Sequence, residues 1–110
     1  MNHEIDLQTA IDMTTRYRGA LQKLLNPDFQ GAMPLSETFD ISAFQTLMEQ
    51  NPAKIRIYYG MQEDNSIHAV LVGVDANDND MFPGQPEDGK IMENGTRCPL
   101  ACPPASVLNQ

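Results

Sequence analysis

The sequence predicts an α+β domain: an amino-terminal helix and a shorter second helix packed on a small antiparallel sheet, followed by an irregular proline-rich tail. Three observations predict it. Apolar residues recur at three- and four-residue steps over 6–25, two neighbouring runs at 54–61 and 67–75 alternate at the two-residue step of strands, and periodicity fades after Thr96. One domain over 1–95 and a Pro/Cys-containing tail over 96–110 is the organisation expected. At 110 residues the chain is long enough to bury a core without metals or disulfides.

In the first helix Leu7, Ala10, Ile11, Thr14, Tyr17, Leu21, Leu24 and Leu25 form one stripe, with Asp12, Arg16 and Lys23 off it. Asp6 suits the N-cap because its carboxylate can accept from amides of the first turn, and Asn26-Pro27 stops the helix. Residues 26–39 read as a loop with a short helical turn at 36–39, carrying Phe29, Met33, Leu35 and Phe39 down onto the core. Ser42-Ala43-Phe44-Gln45 has the spacing of a capping box and announces a second helix over 42–50, with Phe44, Leu47 and Met48 inward and Asn51-Pro52 as its stop.

Lys54–Met61 alternates Ile55, Ile57, Tyr59 and Met61 with Lys54, Arg56, Tyr58 and Gly60, so one face is expected to be buried. Ile67–Asp75 is apolar on both faces and therefore reads as a central strand, joined to the first through Gln62–Ser66. Ala76–Asp80 is turn-rich, 82–86 is irregular, and Lys90–Glu93 is a short third-strand candidate ended by Asn94-Gly95. Beyond Thr96 come three prolines and little pattern.

Fifteen acids against seven bases give a net charge of −8, a field that repels phosphate backbones and anionic headgroups. Nucleic acid and membranes are therefore excluded as expected partners. The amino terminus lacks the basic start and apolar run of a secretory signal, so a cytoplasmic, bacterial-type protein is expected.

Candidate chemistry is sparse. Cys98 and Cys102 flank Pro99-Leu100-Ala101, a spacing open to a metal clip, a small disulfide loop or two idle thiols. A zinc site needs four ligands, and the only imidazoles are His3 and His68, in different elements. Zinc on Cys98 and Cys102, completed by His68 or by a second chain, is the metal reading; otherwise no cofactor is expected. The segment 75–80 offers alternate oxygens like a calcium loop, yet Asp80 stands where glycine is needed and Pro86 where the bidentate glutamate belongs. Lys54, Arg56 and Tyr58 share one strand face and form the candidate interaction surface.

With these residues in view, the chain resembles a family of small bacterial proteins of no established activity. The resemblance lies in Thr14/Thr15 to Tyr17-Arg18, the strand Ile55-Arg56-Ile57-Tyr58-Tyr59-Gly60, the segment Leu71-Val72-Gly73-Val74-Asp75 with Asn79-Asp80-Met81 after it, and the Cys-Pro-rich ending. It covers most of the chain and implies no catalytic or binding residue. Leu100 departs from the family's usual second proline.

No catalytic constellation is visible, so the expected function is non-enzymatic. The leading expectation is an acidic module that binds a protein or its own copy. The alternative is a metal or thiol-redox site on the cysteine pair.

Overall fold

The computed structural model describes residues 2–83, 89–99 and 101–109. The fold is α+β, in the order α1 (Leu7–Leu24), a 3-10 turn (Pro27–Phe29), β1 (Ser36–Thr38), α2 (Ile41–Met48), β2 (Lys54–Met61), β3 (Ile67–Val74), β4 (Asp80–Met81), β5 (Ile91–Met92) and β6 (Thr96–Cys98). No helix among the described residues is long and apolar enough to cross a membrane.

The fold is centred on the hairpin of β2 and β3, antiparallel in a register that opposes Lys54 to Val74 and Met61 to Ile67; its buried side chains come from β3, and the β2 face expected to be buried is open, with Ile57, Tyr59 and Met61 each more than half exposed. Asn65 takes a left-handed conformation (φ 69°) that asparagine tolerates, and its amide donates to the Gln62 carbonyl at 2.9 Å, which closes the loop. On the far side β3 pairs with β4 at Gly73 and Val74 and with β5 at Leu71 and Val72. The central assignment of β3 holds: Leu71, Val72 and Val74 are all buried although they point to opposite faces. Asp75 arranges the turn into β4 by accepting the amides of Asn77 (2.8 Å) and Asn79 (2.9 Å), an Asx turn that uses the oxygen a calcium ion would need.

Helix α1 begins as expected, with Asp6 Oδ1 accepting from the Thr9 amide at 2.7 Å. Helix α2 starts differently. Its N-cap is Asp40 rather than Ser42, with no side-chain cap bond, and the start is fixed by Phe39 packing edge-on to Phe44 at 6.3 Å, a hydrophobic staple in place of a capping box. Asn51 ends α2 in the left-handed region (φ 53°), its amide donating to the Met48 carbonyl at 3.0 Å. The buried Leu47 anchors α2 to the sheet.

Met48, expected to point inward, is exposed, and two further sequence expectations are corrected. Residues 36–38 are a strand, not a helical turn, and 96–98 belong to the folded body rather than to a tail: β1 and β6 form a separate two-stranded ribbon. Neither strand has a run long enough to show alternation, and each is held by the other across the chain. Residues 84–86 of the irregular stretch expected at 82–86 lie outside the described residues.

Candidate metal centre

The ribbon meets β3 on the edge opposite β2, at 67–70, where among the described residues no strand pairs with it. Because β4 and β5 together span only residues 71–74 of β3, the edge at 67–70 needs other partners for its backbone groups. Two side chains directly opposed in the ribbon, Glu37 and Arg97, supply them. Glu37 Oε1 accepts from the Ala69 amide at 2.8 Å, and Arg97 Nε donates to the Ile67 carbonyl at 2.9 Å. Arg97 also reaches the Ala32 carbonyl at 2.8 Å, and Ala32 in turn accepts from the Ile67 amide.

This docking aims the other Glu37 oxygen at His68. His68 Nδ1 lies 3.5 Å from Glu37 Oε2 and 3.1 Å from Glu93 Oε1. Glu93 follows β5 and holds its second oxygen at 3.3 Å from the Gln62 side-chain amide. Each carboxylate therefore has one oxygen anchored and one directed inward. Gly95 makes room for this arrangement, since a β-carbon there would fall 2.4 Å from Glu37 Cγ and 2.5 Å from Oε2.

A chain of hydrogen bonds fixes the imidazole from behind. Ser66 Oγ donates its single proton to Asp64 Oδ1 at 2.5 Å, so it can only accept from His68 Nε2, 3.0 Å away. The network thus assigns the proton of neutral His68 to Nε2 and leaves Nδ1 as a lone pair. The Ser66 hydroxyl and amide also hold Asp64 below the ordinary carboxylate range, keeping it the ionised end of the chain.

The result is three acceptors converging without a donor. Glu37 Oε2, His68 Nδ1 and Glu93 Oε1 are buried atoms with no hydrogen-bond partner, and they lie within 4.8 Å of one another. The Glu37 side chain is only 8% exposed, that of His68 13% and that of Glu93 28%. A buried acceptor without a partner costs about 1–3 kcal/mol, more when charged. A proton on Nδ1 is poorly aimed at either carboxylate, as the missing hydrogen bond at 3.1 Å shows. A divalent ion suits the distances better: bonds of about 2.0–2.1 Å in a tetrahedron set its ligands ~3.3 Å apart, between the observed 3.1 and 3.5 Å.

Two openings flank His68. One is a largely apolar cavity of about 500 Å³ lined by Tyr17, Leu35, Tyr59 and Ile67 together with Glu37 and His68. The other, about 310 Å³, is polar and lined by Asp64, Ser66, His68 and Arg97.

The residues singled out from the sequence are distributed differently from the expectation. Cys98 and Cys102 form a disulfide, so neither offers a thiolate, and the metal set of Cys98, Cys102 and His68 is not assembled. His68 alone joins the cluster. Arg56 lies against Asp80 (2.6 Å) and Asp78 (2.8 Å) of its own chain, and Lys54 lies 3.9 Å from Asp78. The Tyr58 hydroxyl donates to Asp80 Oδ2, a bond that raises Tyr58 and that, together with Arg56, holds Asp80 below its ordinary range. The expected interaction face is thus occupied by the chain's own acidic turn, because the turn after β3 folds back beside β2.

Glu37 and Glu93 carried no signal in the sequence. They are 31 and 25 residues from His68 and sit in or beside elements of two or three residues. In comparison with known proteins the chain matches no family model, no curated protein and no solved structure, and the reading of the site rests on its geometry.

Proposed function

We propose that this protein binds a divalent transition-metal ion through Glu37, His68 and Glu93. The observation that carries the reading is the buried, unpartnered Oε2 of Glu37, held inward by the bond of its sister oxygen to the Ala69 amide. One imidazole and two carboxylates form a borderline donor set that suits zinc, with manganese and iron as related choices. Three protein ligands leave one tetrahedral position for water or a ligand, the pattern of catalytic rather than closed structural zinc sites.

Each ligand has support from the next layer: Ser66 and Asp64 set the tautomer of His68, Ala69 orients Glu37, and Gln62 orients Glu93. The cytoplasmic setting expected from the sequence belongs to the same proposal; there the Cys98–Cys102 bond would open and close with the thiol pool.

Titration calorimetry of metal-stripped protein with zinc tests the reading. One site per chain is expected in the parent. His68→Gln, which keeps a polar side chain between Ser66 and the carboxylates, is expected to lose at least tenfold in affinity, a cost typical of lost metal-site groups. Equal zinc binding by parent and variant would overturn the assignment.

A further inference from the structure

Strand β2 is the outer strand of the four-stranded sheet, and the backbone shows which of its groups face away from β3. On β3 the Ile67 amide donates to the Ala32 carbonyl, the Ile67 carbonyl accepts from Arg97 and the Ala69 amide donates to Glu37. These odd-numbered residues of β3 therefore turn their backbone groups away from β2. Hydrogen-bonded and non-hydrogen-bonded pairs alternate along an antiparallel ladder. Met61 and Tyr59, opposite Ile67 and Ala69, accordingly turn their own N–H and C=O groups outward, as do Ile57 and Ile55. Among the described residues none of these outward groups meets a partner.

Edge strands are ordinarily blunted by proline, bulges or charges. Strand β2 has no proline, its register with β3 runs without a bulge, and its charges stop at Arg56, which leaves Ile57-Tyr58-Tyr59-Gly60-Met61 bare. Ile57, Tyr59 and Met61 share one face and are each more than half exposed. Lys54 and Arg56 are matched by Asp78 and Asp80 of the same chain, so the start of the strand carries no unbalanced charge to repel a neighbour.

We propose that β2 pairs edge to edge with β2 of a second copy, antiparallel about a two-fold axis at Tyr58. The strand is complementary to itself in that register, which is what names a copy as the occupant. An axis perpendicular to the sheet keeps each face on its own side, so only residues of the same parity oppose one another. At Tyr58 it opposes Ile57 to the second copy's Tyr59 and Ile55 to its Met61, and all four outward-facing residues of each strand enter the ladder. The exposed apolar side chains gather in one cross-strand row, Arg56 meets the second copy's Gly60, and no charge meets its like. The contact is isologous and closes on itself. It consumes the long open edge of each sheet, because on the far side β4 and β5 present only two residues each and Glu37 and Arg97 hold the rest of β3. Tyr59 also lines the cavity of about 500 Å³ beside His68, so the second copy's Ile57 stands at the rim of that cavity. Eight residues at ~3.4 Å each make a strip about 27 Å long, small for a specific interface, and the dissociation constant is expected on the order of 10–100 µM. The proposal is independent of the metal reading and is tested in chelator.

Sedimentation equilibrium of the full chain, joined to residue-resolved amide hydrogen exchange, is the experiment. The parent is expected to dimerise, and its Ile57 and Tyr59 amides are expected to exchange about three- to sixfold more slowly at ~500 µM than at ~5 µM, as the dimer fraction at such affinities requires. The Tyr58 amide faces β3 and is expected to keep one rate at both concentrations. Two double variants at exposed positions then test the register. Ile57→Lys with Tyr59→Lys opposes like charges across the axis and is expected to weaken the dimer at least tenfold, whereas Ile57→Lys with Tyr59→Glu opposes unlike charges and is expected to stay within about threefold of the parent. A parent that stays monomeric at ~500 µM would overturn the proposal and give the edge to an extended segment of another protein. A dimer that leaves the Ile57 and Tyr59 amides at one rate, or two double variants that associate alike, would overturn it as well.

Discussion

Glu37→Gln inverts the usual expectation for a buried substitution. The amide oxygen of glutamine keeps the bond from the Ala69 backbone amide, while its NH2 replaces the inward-facing oxygen and becomes a donor for the lone pair of His68 Nδ1 or for Glu93 Oε1. In the metal-free parent those acceptors are unpartnered, at about 1–3 kcal/mol each. The substitution removes one outright and satisfies a second, so a gain of about 2–3 kcal/mol is expected. At about 4–8 °C per kcal/mol for a domain near this size, the melting midpoint in chelator should rise by roughly 10 °C. Zinc at 100 times its dissociation constant stabilises the parent by about 2.7 kcal/mol and should leave the variant unmoved. Scanning calorimetry of both proteins, with chelator and with zinc, reads all four numbers. A variant that melts at or below the parent in chelator, while zinc shifts both alike, would refute the reasoning.

Other expected outcomes follow from the same structure. Val72→Asp places an unpaired carboxylate at a position 3% exposed in the central strand and should leave no cooperative melt, since the cost of several kcal/mol rivals a total of about 5–15 kcal/mol. Cys98→Ser with Cys102→Ser opens a five-residue loop worth about 2 kcal/mol; chemical denaturation should show that loss, with zinc affinity falling as β6 loosens beside Glu37. The Tyr58–Asp80–Arg56 group gives a pH dependence whose sign is fixed. Asp80 is depressed by the Tyr58 bond and Arg56, so its contribution is full above the unfolded carboxylate range and fades as pH falls through the depressed value. Tyr58 is raised by the bond to Asp80 and by burial, so its contribution is present below about pH 10 and is lost as pH rises through the raised value. Asp80→Asn should flatten both limbs of a stability-against-pH curve.

The fold was legible where period and burial coincide. Leu71, Val72 and Val74 could belong only to a covered strand, and Asp6 with Asn26-Pro27 bracketed α1 to within two residues of its observed ends. The short strands were illegible because three residues cannot display a period; Ser36–Thr38 and Thr96–Cys98 exist through their pairing across the chain. The candidate metal centre was illegible for a related reason. Its ligands share no motif, and only His68 lies on a strand long enough to be read. Glu37 reads from sequence as one solvated acid among fifteen, and only the edge of β3 left open by β4 and β5 gives it a buried role.

The pairing of β1 with β6 also constrains the order in which the molecule can assemble. Ser36 and Cys98 are opposed in that ribbon, so their meeting closes a loop of about 60 residues, at an entropic cost near 3.7 kcal/mol for a flexible chain. Nothing within three-residue strands recovers that cost until the β2–β3 hairpin has already drawn the ends together. Folding should therefore proceed from the hairpin outward, with Glu37 and Glu93 reaching His68 in the last step. A nascent chain that ends before residue 98 lacks β6, so Glu37, His68 and Glu93 converge only after that strand has been made.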